Sequence, residues 1–186
     1  MLNLVIFGPP GAGKGTQADL IAQKLNLIHL SSGELLRQEL ANGELGQEIQ
    51  KYQDAGELVP DSLVVRLIEN AITKNLDRAG FIFDGYPRNL NQANSLDKFL
   101  AAQGLKLDLV LNLELDEQDA IDRIILRSQT SGRSDDNAQT IGKRFQTYQT
   151  QTLPILDYYQ NHGVLTNIDG RPSIAEVNSQ ILKILA

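Results

Sequence analysis

The sequence predicts an α/β fold in three layers, a parallel sheet covered by helices. Three observations lead there. Short apolar runs alternate with stretches of helical periodicity, the first run passes through a glycine-rich loop into a helix, and two interruptions of this rhythm read as insertions.

Leu2 to Phe7 is the first apolar run, and beyond the loop Ala18, Ile21, Ala22 and Leu25 recur at helical spacing between Lys14 and Leu25. His29 reads as a strand-end residue just ahead of the first insertion. From Ser31 to Leu76 the pattern is helical throughout, broken by turn signals at Asn42-Gly43, Ala55-Gly56 and Val59-Pro60, which predicts a small helical insertion. Phe81–Phe83, Leu109–Leu113 and Val164–Ile168 are further strands, each followed within a few residues by helix-like sequence, and His162 reads as a turn residue. Ser128–Asn137, with Thr130, Ser131, Gly132, Asp135 and Asp136, is too polar for a core and reads as a short mobile loop.

With 186 residues, 41% of them hydrophobic, one main domain is expected. Seventeen basic against 23 acidic residues give a net charge of -6, which opposes binding to nucleic acid or a membrane surface. Positive charge is nevertheless concentrated at Arg123, Arg127, Arg133 and Arg144, and this local asymmetry suits a small anionic ligand. The absence of cysteine excludes disulfides and a thiolate zinc site. Met1-Leu2-Asn3 runs into a strand without a basic leader or a long apolar segment, so a soluble cytoplasmic protein is expected.

The chemistry concentrates first in GPPGAGKGT, Gly8 to Thr16, two glycines five apart followed by lysine between a strand and a helix. Backbone N–H groups of such a turn and the positive end of the helix dipole face phosphate oxygens, and Lys14 neutralises the outermost of them. The position after the lysine, which usually carries a hydroxyl that ligates magnesium, is Gly15, with Thr16 one residue later. Asp84 ends an apolar strand, where open parallel sheets bind ligands, and is the magnesium candidate, through water rather than directly; Asp84-Gly85 is also an ordinary turn pair. Gly85 stands where motor-type ATPases place a water-activating glutamate, which disfavours hydrolysis. No Asn-Lys-x-Asp base-reading motif of a GTPase switch occurs.

GPPGAGKGTQ, SSGELLR (Ser31 to Arg37), GELVPDSLV (Gly56 to Val64), FDGYPRN (Phe83 to Asn89), DRIILR (Asp122 to Arg127), SGRSDDN (Ser131 to Asn137) and KRFQTY (Lys143 to Tyr148) together resemble the adenylate kinases of the nucleoside monophosphate kinase family, in order and over essentially the whole chain. The resemblance implies a three-layer P-loop fold with a central parallel five-stranded sheet. The core would comprise residues 1–30, 60–126 and 138–186, the helical monophosphate-binding domain 31–59, and a short lid 127–137 that without cysteine holds no zinc.

The resemblance also implies roles. Gly11, Ala12, Gly13, Lys14, Gly15, Thr16, Arg123, Arg127 and Pro172 would bind ATP. Ser32, Arg37, Glu57, Leu58, Val59, Gly85, Tyr86, Pro87, Arg88, Gln92, Arg133 and Arg144 would bind AMP, and Lys14, Arg88, Arg127, Arg133 and Arg144 would act in transfer. Arg123 and Arg127, four apart on a helix, share a face. Ser32 and Gln92 match the adenylate pattern, a glutamine amide offering one donor and one acceptor to adenine's amino group and neighbouring ring nitrogen. Glu34 departs from the usual aspartate. The expected function is reversible transfer of a phosphoryl group from magnesium ATP to AMP, giving two ADP, by a monomer. The alternatives are a UMP/CMP kinase of the same family and a nucleotide-binding regulatory protein without turnover.

Overall fold

In β1 (Leu2–Phe7) successive side chains point to opposite faces, as the strand period requires, and this alternation divides the core in two. Leu4 and Ile6 pack on one face with Ala18, Ile21 and Ile181, whereas Val5 and Phe7 pack on the other with Ile68, Leu96 and Tyr159. The computed structural model describes residues 1–42, 45–54, 59–131 and 138–186.

The chain continues through α1 (Lys14–Leu25), β2 (Ile28–Ser31), α2 (Ser32–Asn42), α3 (Gly46–Asp54), α4 (Asp61–Thr73), β3 (Gly80–Asp84), α5 (Leu90–Ala102) and β4 (Leu109–Glu114). It ends with α6 (Glu117–Ser131), α7 (Ala138–Thr147), a π-helical turn at Tyr148–Thr152, α8 (Leu153–Asn161), β5 (Leu165–Asp169) and α9 (Ile174–Ile184). The five strands pair in the order β2-β3-β1-β4-β5, all in parallel. Helices α1 and α9 cover one face; α4, α5 and α8 cover the other. This is the three-layer α/β architecture that the alternating pattern predicts.

The connection after β1 leads to β2 on one side, and the connection after β3 crosses β1 to β4 on the other. The crevice of an open α/β sheet forms where successive connections diverge in this way. Here it forms between the C-terminal ends of β1 and β3, where Ile6 is in register with Asp84. The glycine-rich loop and Asp84 are therefore brought together by topology, although they stand 68 to 76 positions apart in the chain.

The helical insertion has a small core of its own: Ile49, Leu63 and Leu67 are buried, with Leu36, Leu40, Leu45 and Val59 packed against them. One expectation is corrected. The polar stretch expected as a loop from Ser128 begins as helix, since α6 runs to Ser131. Ala120 and Ile124 are buried against Ile141 and Phe145 of α7, and the Ser128 hydroxyl is satisfied inside the helix by donating to the Ile125 carbonyl at 2.7 Å. Residues 132–137 of the expected lid lie outside the described residues. Among the described residues no helix is long and apolar enough to cross a membrane.

Candidate active site

The glycine-rich loop leaves β1 at the centre of the sheet and enters α1 through Gly13, whose φ of 85° lies in the left-handed region. No side chain caps this helix start and no acidic residue stands in its first turn, which leaves the first amides and the positive end of the dipole for a ligand. Gly11 is required by close approach. A Cβ there would stand 2.4 Å from the Ala120 carbonyl oxygen, and its φ of +87° strains any other residue.

Lys14 is half-buried, and its ammonium donates to the loop's own carbonyls, Gly8 at 2.8 Å and Pro9 at 2.9 Å. Loss of solvent lowers its pKa to about 8; the nearby Asp84 carboxylate opposes that fall, while Arg88, Arg144 and Arg127 add to it. Cations from the β3 loop, α7 and α6 thus press on the Lys14 ammonium, and such a convergence of positive charge is costly unless a polyanion shares the space. A pH dependence follows. Above about pH 8 the free protein loses this proton, whereas a bound phosphate raises the lysine's pKa again, so binding must take up a proton. Calorimetric titration with metal-free ATP is expected to show affinity weakening from pH 8 to 9, by at most roughly tenfold for one proton, with a heat that depends on the buffer.

Asp84, at the end of β3, faces the start of α1: its Oδ2 would lie 3.3 Å from a Cβ at Gly15. Behind it stands His29 of β2, whose Nδ1 bonds Asp19 at 2.7 Å and whose Nε2 lies 3.7 Å from Asp84 Oδ2, a charge-pair separation rather than a hydrogen bond. Burial alone would lower the His29 pKa, but Asp84 and Asp19 together hold it above its ordinary value. Among the described residues no group of three or more His, Cys, Asp or Glu is placed to hold a metal ion. One carboxylate beside a phosphate loop is nevertheless a fitting donor set for magnesium, which takes one or two carboxylates and completes its shell with phosphate oxygens and water.

On the other side of Asp84 the chain turns through Gly85, Tyr86 and Pro87 to Arg88, with a cis bond between Tyr86 and Pro87. The Gly85 carbonyl collects two donors, the Ser32 hydroxyl at 2.7 Å and the Arg88 Nε at 2.8 Å. Ser32 at the head of α2 and Arg88 after β3 are thereby tied to one oxygen. Arg37 lies one turn further along α2, its guanidinium 3.4 Å from where a Cβ on Gly33 would sit. Gln92 is buried, and both ends of its amide are engaged within the chain: Oε1 accepts from the Arg88 backbone N–H at 2.8 Å and Nε2 donates to Asp61. The side-by-side donor and acceptor expected of Gln92 are thus each half used. Val59 packs against the insertion's core; Glu57, Leu58 and Arg133 lie outside the described residues.

Arg123 and Arg127 both lie on α6, as expected, but Arg123 is anchored. Its guanidinium donates to the carbonyls of Gly170 at 2.9 Å and Arg171 at 3.1 Å, the turn that leads through Pro172 into α9. Arg171 pairs with Asp169 at 2.9 Å and holds that exposed carboxyl down at a pKa of about 2. Pro9 also borders a cavity of about 600 Å³ between β4, β5 and α8, whose wall carries Glu114, Asp116, Glu117 and Asp157. Four carboxylates in that wall repel a polyphosphate.

The structure brings Gly11 to Thr16, Asp84, Arg88, Arg127 and Arg144 around one crevice and seats Ser32 and Gln92 at its edge. Asp61 and His29, which hold Gln92 and flank Asp84, are not evident from the sequence.

The profile of the family described as Adenylate kinase matches residues 6–164. A protein named adenylate kinase from Leptospira biflexa is 44% identical over 184 residues, covering 98% of this chain and 99% of its own length. Adenylate kinases from Porphyromonas gingivalis and Thermobifida fusca are 45% and 43% identical, and the alignments cover 100% and 99% of this chain and 96% and 98% of theirs.

Proposed function

The chain belongs to the adenylate kinase family, a family of ATP:AMP phosphotransferases, and from that premise we propose how its residues transfer the terminal phosphoryl group of ATP to AMP reversibly, giving two ADP. One observation carries the assignment of roles: the charges of Arg88, Arg127 and Arg144 converge on the Lys14 ammonium at the head of a helix whose amides no side chain caps. In this reading the loop amides and Lys14 hold the β- and γ-phosphates, Arg37 and Arg88 grip the acceptor phosphate, and Arg127, Arg133 and Arg144 neutralise the group in transit. Arg123, with Arg127, would meet the triphosphate and Pro172 would line the ATP site; Ser32, Val59, Gly85 and Gln92 border the acceptor nucleoside. Residues 31–59 serve as the acceptor domain and 127–137 as the lid.

The second pKa of a phosphate monoester is about 6, so the attacking oxygen of AMP is already ionised at pH 7 and no general base is required. What the protein must supply is in-line alignment and a positive field where charge spreads over the equatorial oxygens. Asp84, beside Gly15 and Thr16, would hold magnesium through water, and the bound ion supplies further neutralisation of the phosphate oxygens.

Water competes with AMP as acceptor, so the arginine cage has to be completed only when both nucleotides are present. The purified protein is expected to hydrolyse ATP without AMP at a small fraction of its transfer rate, as measured by phosphate release. The function itself is tested by incubating the protein with magnesium ATP and each nucleoside monophosphate in turn. Diphosphate formation is expected to be fastest with AMP; a preference for UMP or CMP would reassign the acceptor, and no diphosphate with any of them would refute the kinase reading.

A further inference from the structure

The two ends of a glutamine amide are nearly the same size, and a free one turns over to offer donor and acceptor in either order. Gln92, in the first turn of α5, has neighbours that forbid this. Its Oε1 faces the Arg88 backbone N–H at 2.8 Å, a group that only donates, and its Nε2 faces Asp61 Oδ1, which as a carboxylate only accepts. Asp61 is itself held from the far side, where Oδ2 accepts from Asn89 Nδ2 at 2.7 Å. Asn89 cannot turn over either, because its Oδ1 caps α5 by accepting from the Gln92 backbone N–H at 3.0 Å. The chain of fixed orders runs from a helix cap through a carboxylate in the first turn of α4, a position the helix dipole favours for negative charge, to one side-chain amide. One hydrogen on Nε2 and one lone pair on Oε1 remain, in an order that cannot reverse.

We propose that Asp61 is a specificity-determining positioning residue: by locking the Gln92 amide it selects acceptors whose purine carries an amino group at position 6 and rejects those with an oxo group there. Adenine presents a donor at the 6-amino group beside an acceptor at N1. Hypoxanthine has nearly the same shape and presents the reverse, an acceptor at the 6-oxo group beside a donor at N1. A locked amide pairs with one of these and opposes the other; an amide released from Asp61 turns over and accommodates both. Arg88 alone holds only one end. The inference rests on Gln92 meeting the acceptor base, and the test is arranged to separate the two.

The test is kcat/KM for AMP and for IMP at saturating magnesium ATP, in the parent protein and in the variants Asp61→Asn, Asp61→Ala and Gln92→Leu. Asp61→Asn preserves size and the helix start, so a folded comparison is available if the alanine variant melts early. Because Asn89 still donates in a fixed order, the new side chain takes that bond on its oxygen and turns its amide hydrogens toward Gln92, which breaks the chain of fixed orders at Gln92. The expected result is that both Asp61 variants lower the AMP-to-IMP ratio by about tenfold or more, the scale of one hydrogen bond to a charged group, while KM for ATP stays at the parental value. Gln92→Leu is expected to lower the ratio as well. If the Asp61 variants lose AMP and IMP activity in equal proportion while Gln92→Leu lowers the ratio, Asp61 is merely structural and the inference is wrong. If Gln92→Leu also keeps the parental ratio, Gln92 does not read the base, and the assignment of Gln92 falls together with that of Asp61.

Discussion

Replacing Lys14 by Met is expected to reduce kcat by at least about 10³ while leaving the melting temperature no lower than that of the parent. The two halves of this expectation have one cause. The ammonium is buried among the positive charges of Arg88, Arg127 and Arg144, and the fold tolerates it at the expense of a pKa lowered to about 8. Below that pH the charged lysine costs folding free energy, because the unfolded chain binds the proton more tightly. Methionine fills much the same volume without a charge, and the loss of two bonds to the Gly8 and Pro9 carbonyls offsets only part of the relief. A residue that stabilised the loop would behave oppositely, so a large drop in melting temperature with Lys14→Met would move Lys14 from the chemistry to the scaffold. Activity and thermal unfolding of the same preparation are the measurements.

The second large effect is expected at Arg88. Its side chain is exposed and rests on the Gly85 carbonyl through Nε, so removing it disturbs no core and stability should change by within about 0.5 kcal/mol. Turnover, by contrast, is expected to fall by on the order of 10³ to 10⁵ in Arg88→Ala, the range for an arginine that meets transition-state charge on a phosphoryl group. Arg88→Lys should recover only a minor part. An ammonium restores the charge but not the planar fork, and one arm of that fork is already spent on Gly85. Steady-state kinetics with AMP varied and ATP saturating checks this, and turnover within tenfold of the parent in Arg88→Ala would remove Arg88 from the transfer step.

Much of this site could be read from the chain because its residues lie close together along it. Gly8 to Thr16 form a strand-loop-helix whose spacing defines the loop, and Phe81 to Asp84 form a strand whose end is marked by a change from apolar to charged. The alternation in β1 likewise follows from a local period of two. Where contacts are distant in the chain, the sequence was mute. β2 has only four residues, and its pairing with β3 depends on a crossover that no local pattern encodes. His29 faces Asp84 only because β2 lies beside β3. Asp61 meets Gln92 only because α4 and α5 start at the same edge of the sheet. The extension of α6 to Ser131 was hidden for a different reason: its last turn is polar, and what holds the helix is burial of Ala120 and Ile124 further back.

The central claim is that one cluster of cations carries a phosphoryl group from ATP to a second nucleotide without releasing it to water. ATP labelled with phosphorus-32 at the γ position tests it directly, in reactions with and without unlabelled AMP and with the products separated. The label is expected in the β-phosphate of ADP, one labelled and one unlabelled ADP per turnover, and only when AMP is present. Label appearing as inorganic phosphate at the same rate whether or not AMP is added would contradict the account.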